Sequence, residues 1–247
     1  MSAQTRTVSI VVPAFNEARS LAATLASIRA AAAAFERRGW RHELIVCDNN
    51  STDATAAIAR EAGATVVFEP INQISRARNA GAAAASGDWL VFVDADSQPS
   101  IGLFDDAAAV IEQGRCVAGG ATVTIDSQDR LGRAVVGLWN TISRMLRLAA
   151  GSFIFCEAHA FREIGGFSLE LYAAEELELF KRFKRLARRT GRTIVILYEH
   201  PLVTSDRKAR LYTKGEMASS FFKSVLTLGR TVRNRDDCYV WYDGRRE

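Results

Sequence analysis

The chain has 247 residues, 48% of them hydrophobic and 24% charged, with a formal net charge of +4, enough for one sizeable α/β domain with at most an appendage. No uncharged apolar run approaches the roughly 18 residues of a membrane-spanning helix; the longest, 116–125 and 134–143, stop near ten. Cys47, Cys116, Cys156 and Cys238 lack metal-type spacing and point to neither zinc nor disulfides, and the short polar start predicts no signal or transit peptide, so the expected location is the cytoplasm.

Residues 8–12 (VSIVV) read as a buried strand that Pro13 ends, and Asn16 is placed to cap a helix with Leu21, Leu25 and Ile28 on one face. Residues 43–47 (ELIVC) form a second strand, after which Ser51 or Thr52 can cap a helix running to Ala62, before Gly63. Residues 64–68 give a third strand, and Ser75 can cap an alanine-rich helix through Ala85. The fourth strand, 90–93 (LVFV), is apolar throughout, as in sheets covered on both faces, and runs into Asp94 and Asp96. Four strand–helix alternations predict a mostly parallel, doubly wound sheet with right-handed crossovers.

A helix over 101–113 and a strand over 116–125 follow. Residues 131–148 then read as an amphipathic basic helix, with Leu131, Val135, Leu138, Ile142 and Met145 in one stripe and Arg133, Arg144 and Arg147 interleaved. A strand over 152–161, a turn at Gly165 and Gly166, a charged helix from Ala174 to about Arg189 and a strand over 193–198 complete the domain. A second basic amphipathic helix is expected over 212–235, with Phe221, Val225, Leu228 and Val232 in a stripe. No linker or repeat justifies a domain cut, so 1–247 reads as one unit: a nucleotide half at 7–125, an acceptor half at 126–205 and a C-terminal extension at 206–247.

Asp94 and Asp96, one residue apart on an extended chain, project to the same side at the carboxyl end of a buried strand, where open α/β sheets bind ligands. Two adjacent carboxylates repel unless a cation lies between them, and hard oxygen donors suit Mg²⁺ or Mn²⁺, which in turn suit a diphosphate. The alternative for this pair is a strand end with one Asp capping the next helix. Asn16 and Glu17 after the first strand and 48–53 after the second reach the same edge. Asp48 can accept a hydrogen bond from a nucleobase imide, and the helix N-termini there favour phosphate. No Gly-x-Gly-x-x-Gly or P-loop exists, which argues against a standard dinucleotide site. Basic residues gathered after Lys181 and between Arg207 and Arg235 favour nucleotide phosphates or acidic lipids, with no nucleic-acid partner expected.

The segments VSIVVPAFNE (8–17), ELIVCDNNSTDAT (43–55), ARNAG (77–81), GDWLVFVDAD (87–96) and 165–178, taken in order, resemble the successive motifs of family-2 glycosyltransferases of the GT-A fold. The resemblance spans about 7–200 and says nothing specific about the substrate. It implies that Pro13, Ala14 and Glu17 line a nucleotide pocket, that Asp48 contacts the base, that Arg78 or Arg76 approaches the base or phosphates, that Asp94 touches ribose or metal, and that Asp96 ligates the metal. Glu175 and Glu176 stand where the family usually has Glu-Asp, so Glu176 looks like the general base, with Glu175 and Glu178 as adjacent alternatives; the bland reading is a solvated acidic helix start.

The implied chemistry is an inverting displacement of a UDP or GDP leaving group, with Mn²⁺ or Mg²⁺ neutralising the charge and one carboxylate deprotonating the acceptor hydroxyl. The Gln-x-x-Arg-Trp of the processive synthases is missing, which reads as a single-transfer enzyme. Arg207 in the basic loop 204–208 is a candidate diphosphate clamp, a solvated loop being its alternative, and His200 and His159 are candidate third metal ligands. A nucleotidyltransferase and a non-catalytic nucleotide-binding module are the competing classes. The two basic amphipathic segments predict peripheral attachment to a membrane carrying a lipid-linked or cell-envelope acceptor, or else packing within a homodimer or on the domain.

Overall fold

A computed structural model describes residues 5–125, 130–204, 231–234 and 238. Eight strands form one sheet in the order β3-β2-β1-β4-β7-β6-β8-β5. Strands β1 (Thr7–Ala14), β2 (Arg41–Asp48), β3 (Thr65–Phe68) and β4 (Trp89–Val93) pair in parallel, joined by helices α1 (Leu21–Glu36), α2 (Thr55–Glu61) and α3 (Ile74–Ala84) as the alternation predicts. A missed two-residue strand, β5 (Ser97–Gln98), leads into α4 (Ile101–Glu112), whose N-cap Ser100 accepts from the Leu103 amide at 3.1 Å.

The second half departs from the mostly parallel expectation. β6 (Cys116–Ile125) lies parallel to β8 (Thr193–Thr204), but β7 (Phe153–Glu157) is antiparallel to both of its neighbours, β4 and β6, and β5 is antiparallel to β8. The cause is the placement of α5 (Arg130–Leu146). The chain leaves β6 at the carboxyl edge, and Asn140 of α5 holds Val123 there by donating to its carbonyl at 2.8 Å and accepting from its amide at 3.0 Å. β7 then enters beside Val93, at that same edge, so it must run backwards. A helix crossing the sheet would have returned it parallel.

Several boundaries also move. Pro13 does not end β1; pairing to β4 stops at Val11, so Pro13 has a sheet neighbour on one side only and the missing N–H is tolerated. β7 stops at Glu157, and the rest of the expected strand turns into α6 (Ala158–Glu163). β8 runs on to Thr204 because β6 and β5 pair along its extra length. The long charged helix is α7 (Glu175–Thr190), closed by Gly191 at φ +66°. The expected helix at 212–235 falls almost wholly outside the described residues.

Strand side chains alternate between two cores, as a period of two requires. Val8, Ile10, Val91 and Val93 face α1 and α4, while Val11, Leu90, Phe92 and Ile154 face α6 and α7. All five residues of β4 are buried, so this central strand is covered on both sides and delivers its polar continuation at a rigid edge.

Candidate active site

The carboxyl edge is built by lacing loops together. Asn16, held at φ +52°, accepts from the Thr52 amide at 2.8 Å and donates its own amide to Ser51 Oγ at 3.0 Å, so it joins the β1 and β2 loops instead of capping α1. The neighbouring amides of Glu17 and Ala18 donate to Thr55 Oγ1 at 2.8 Å and Asp53 Oδ2 at 3.1 Å. Those two residues, and not Ser51 or Thr52, organise the start of α2: Asp53 also accepts from the Thr55 amide at 2.9 Å, and these bonds hold its carboxyl below the ordinary range against the opposing effect of burial. Asp48 is buried and accepts from the Ser51 amide at 3.1 Å, at the strand end beside Pro13 and Ala14. Glu17, also buried, accepts from Ser20 Oγ at 2.6 Å.

Three amides missed in the sequence carry the lacing across to the second half. Asn49 donates to the carbonyls of Glu69 and Ile71 at 3.1 and 2.7 Å and accepts from the Gln73 amide at 2.9 Å. Gln73 donates to the carbonyls of Leu169 and Leu171, both at 2.9 Å, and Asn79 exchanges two 2.9 Å bonds with Phe167. Together they seat the loop that begins at Gly165 and Gly166, both at positive φ, and ends at Ala174, strained at φ +58°. Asn49 and Asn79 lie inside the quoted segments 43–55 and 77–81, but nothing there marks them as loop anchors, and Gln73 carries no local signal.

That loop presents the start of α7 to the end of β4, and Arg78 of α3 joins them. Arg78 is 1% exposed. One guanidinium nitrogen donates to Glu175 Oε1 at 2.6 Å; the other donates to Asp94 Oδ1 and to the Gly151 carbonyl, both at 2.9 Å. Its plane lies over the Phe167 ring, 5.1 Å from the centroid. Burial opposes the charge, but Asp94, Glu175 and Glu176 outweigh it and hold Arg78 firmly protonated. Arg78 therefore does not reach out to a base or phosphate as expected; it is a buried clamp, and half-buried Arg76 is the neighbour with access to solvent.

The three glutamates at the start of α7 have different settings. Glu175 is buried on Arg78, and Glu178 is locked by Arg182 Nε at 2.8 Å. Glu176 has no ion-pair partner among the described residues and is half-buried. A Cβ built on Gly151 would lie 3.3 Å from Arg78 Nη2 and 3.7 Å from the Glu176 carboxyl, which puts that carboxyl beside the clamp. Burial first, then Glu175, pushes Glu176 up to about 8, with Arg78 opposing. A carboxyl in that range can take a proton near neutral pH.

The remaining candidates separate. Asp94 and Asp96 are both half-buried just past the end of β4, in a turn where the Ser97 amide donates to the Asp94 carbonyl at 3.1 Å, so they do not sit on the extended chain expected. His200 Nδ1 pairs with Asp106 Oδ2 of α4 at 2.9 Å, and its ring lies against Gly102, so the structure gives it a partner other than the Asp94–Asp96 pair. His159 is exposed on α6, past the β7 end that pairs with Trp89, which is the opposite edge of the sheet from Asp94. Among the described residues no cluster of three or more His, Cys, Asp or Glu side chains is arranged to hold a metal by itself. Arg207 lies outside the described residues.

Comparison with known proteins fits this edge. The model of glycosyl transferase family 2 matches residues 9–163, more than half of the chain. An uncharacterized glycosyltransferase of Mycobacterium bovis is 38% identical over 107 residues, 43% of this chain and 44% of that protein, so the chain spans less than half the length of that relative. Among solved structures, the mannosyltransferase PcManGT of Pyrobaculum calidifontis in complex with GDP-Man and Mn²⁺ superposes with a TM-score of 0.65 at 18% identity, over 90% of this chain and 61% of that one. S. aureus TarS 1-349 in complex with UDP-GlcNAc gives 0.62 at 21% identity, over 81% and 58%. The fold is thus that of GT-A glycosyltransferases, and the chain belongs to glycosyl transferase family 2.

Proposed function

We propose that the chain is an inverting, divalent-cation-dependent glycosyltransferase that moves a sugar from a UDP- or GDP-linked donor to an acceptor hydroxyl. The observation that carries this reading is the place of Glu176: without an ion-pair partner among the described residues, it lies beside Arg78, which bridges Glu175 to Asp94 at the strand end that is followed by Asp96, and burial and Glu175 raise its carboxyl to about 8. Support also comes from the solved neighbours that hold GDP-Man with Mn²⁺ or UDP-GlcNAc.

The donor set fits a hard cation. Asp96 and the Asp94 oxygen not taken by Arg78 are carboxylate oxygens at one strand end, which suits Mg²⁺ or Mn²⁺ completed by diphosphate and water. When bound, such an ion supplies charge neutralisation for the leaving diphosphate. Asp48, with Pro13, Ala14 and Glu17 around it, accepts from the base, and Arg76 is the nearby cation for phosphate. Glu176 accepts the proton of the acceptor hydroxyl as the new bond to the anomeric carbon forms and the bond to diphosphate breaks. One base and one displacement invert the anomeric centre. The transfer is a single one, to the hydroxyl of a lipid-linked or cell-envelope acceptor.

Calorimetry with UDP and GDP tests the donor side. Binding in Mn²⁺ that is lost in EDTA, and lost again in Asp96→Ala, is the expected outcome; equal binding in EDTA contradicts it.

A further inference from the structure

Helix α5 is anchored by one flank and leaves its apolar stripe bare. Val136 and Trp139 pack on the core, Ser143 is buried and Asn140 is bonded to Val123, so the helix is firmly seated. Yet Val135, Leu138, Ile142 and Met145, spaced by three and four residues along one face, are 60%, 63%, 37% and 78% exposed. Four large side chains in a continuous exposed row are more than the scattered apolar residues of an ordinary surface.

A cationic field borders that row. Arg144 lies over the Tyr198 ring at 4.1 Å, and Lys184 of α7 donates to the Leu146 carbonyl at 2.5 Å, which brings the basic face of α7 to the end of the stripe. Burial, and then Arg188, Arg147 and Lys181, lower Lys184 from its ordinary value, which shows these cations gathered at that end of the stripe.

We propose that the α5 stripe and the basic residues beside it dock on the surface of an anionic lipid bilayer. A second copy seated on the same patch would set these cations against their own kind, whereas anionic headgroups neutralise them while the apolar row enters the acyl boundary. No helix among the described residues is long and apolar enough to cross a membrane, so the attachment is peripheral. The chain runs from the end of α5 directly to Gly151, beside Arg78 and Glu176, so the bilayer would lie on the acceptor side of the site. Only that last consequence rests on the proposed transfer reaction; lipid binding itself does not.

The test is co-sedimentation of the full chain with vesicles of phosphatidylcholine alone and of equal parts phosphatidylcholine and phosphatidylglycerol, at low and high salt. The expected result is pelleting with the anionic vesicles only, weakened by salt. In Leu138→Glu/Met145→Glu, which places two anions in the row, binding should fall on the order of 100-fold, with melting temperature and UDP or GDP binding unchanged. A wild-type chain that stays in the supernatant with both vesicles overturns the proposal; if it is then a dimer that the double variant dissociates, the stripe is a protein interface. Pelleting that the double variant retains in full overturns it equally.

Discussion

In the proposed reaction Glu176 is the base, because its two acidic neighbours are spent on structure: Glu175 on Arg78, Glu178 on Arg182. Glu176→Gln should preserve the fold and nucleotide binding and lower turnover by about 10²–10⁴-fold, the usual contribution of general base catalysis. Glu178→Gln should leave turnover within a few-fold of wild type; a greater loss there than in Glu176→Gln would move the base to Glu178. The pH dependence follows from the raised carboxyl. The base works deprotonated, so kcat/KM should climb with pH and level off above about 8, and the limb should vanish in Glu176→Gln.

The same carboxyl has a stability signature whose sign is fixed by linkage. A group that holds its proton more tightly when folded contributes stability below its ordinary pKa of 4.5 and loses it as pH rises through about 8. Glu176→Gln should therefore melt higher than wild type at alkaline pH, with a smaller difference in acid. A rising gap confirms that the carboxyl is buried at a cost; a gap that shrinks with pH contradicts it.

At the level of elements, Arg78 is where α3, the end of β4, the turn before β7 and the start of α7 meet. Removing it leaves Glu175 buried without its counter-charge and the Gly151 carbonyl without its donor, so Arg78→Ala should cost about 3–5 kcal/mol by denaturant unfolding. Arg78→Lys should recover only part of this, since one ammonium cannot span both carboxylates as the fork does. Solvent-accessible Arg76→Ala should stay within about 0.5 kcal/mol of wild type. If Arg78→Ala is equally mild, the clamp does not hold these elements together.

The elements were legible wherever periodicity and burial agree. The alternation through β4 is written in apolar runs and turn residues, and the helix from Ala174 is written in its charged pattern and acidic start. What escaped were features set by contacts distant in sequence. β7 runs backwards because Asn140 holds α5 at the carboxyl edge, and nothing local to residues 153–157 encodes direction. Likewise, the side chains of Arg78 and Arg76 are the same in isolation; only the fold buries one against two carboxylates and leaves the other half-open. The position of Asp94 and Asp96 at the end of the central strand was legible, but the turn that holds them, closed by the Ser97 amide on the Asp94 carbonyl, was not. The partner of His200 was not, because Asp106 lies 94 residues away in the chain.

For the molecule as a whole, one sheet edge gathers the groups that the proposed transfer would use: Asp48 and Glu17 from the first two strand ends, Asp94 and Asp96 from the central one, and Glu176 from the helix whose Glu175 pairs with Arg78. These residues belong to both halves of the chain, so the site exists only when the domain is folded entire. The account stands most directly on one assay: nucleoside diphosphate release from a panel of UDP- and GDP-sugars with Mn²⁺, water serving as a slow surrogate acceptor. At least one donor should be cleaved above the enzyme-free rate, with the activity abolished by EDTA; no release from any donor, or release that EDTA leaves untouched, would contradict the assignment.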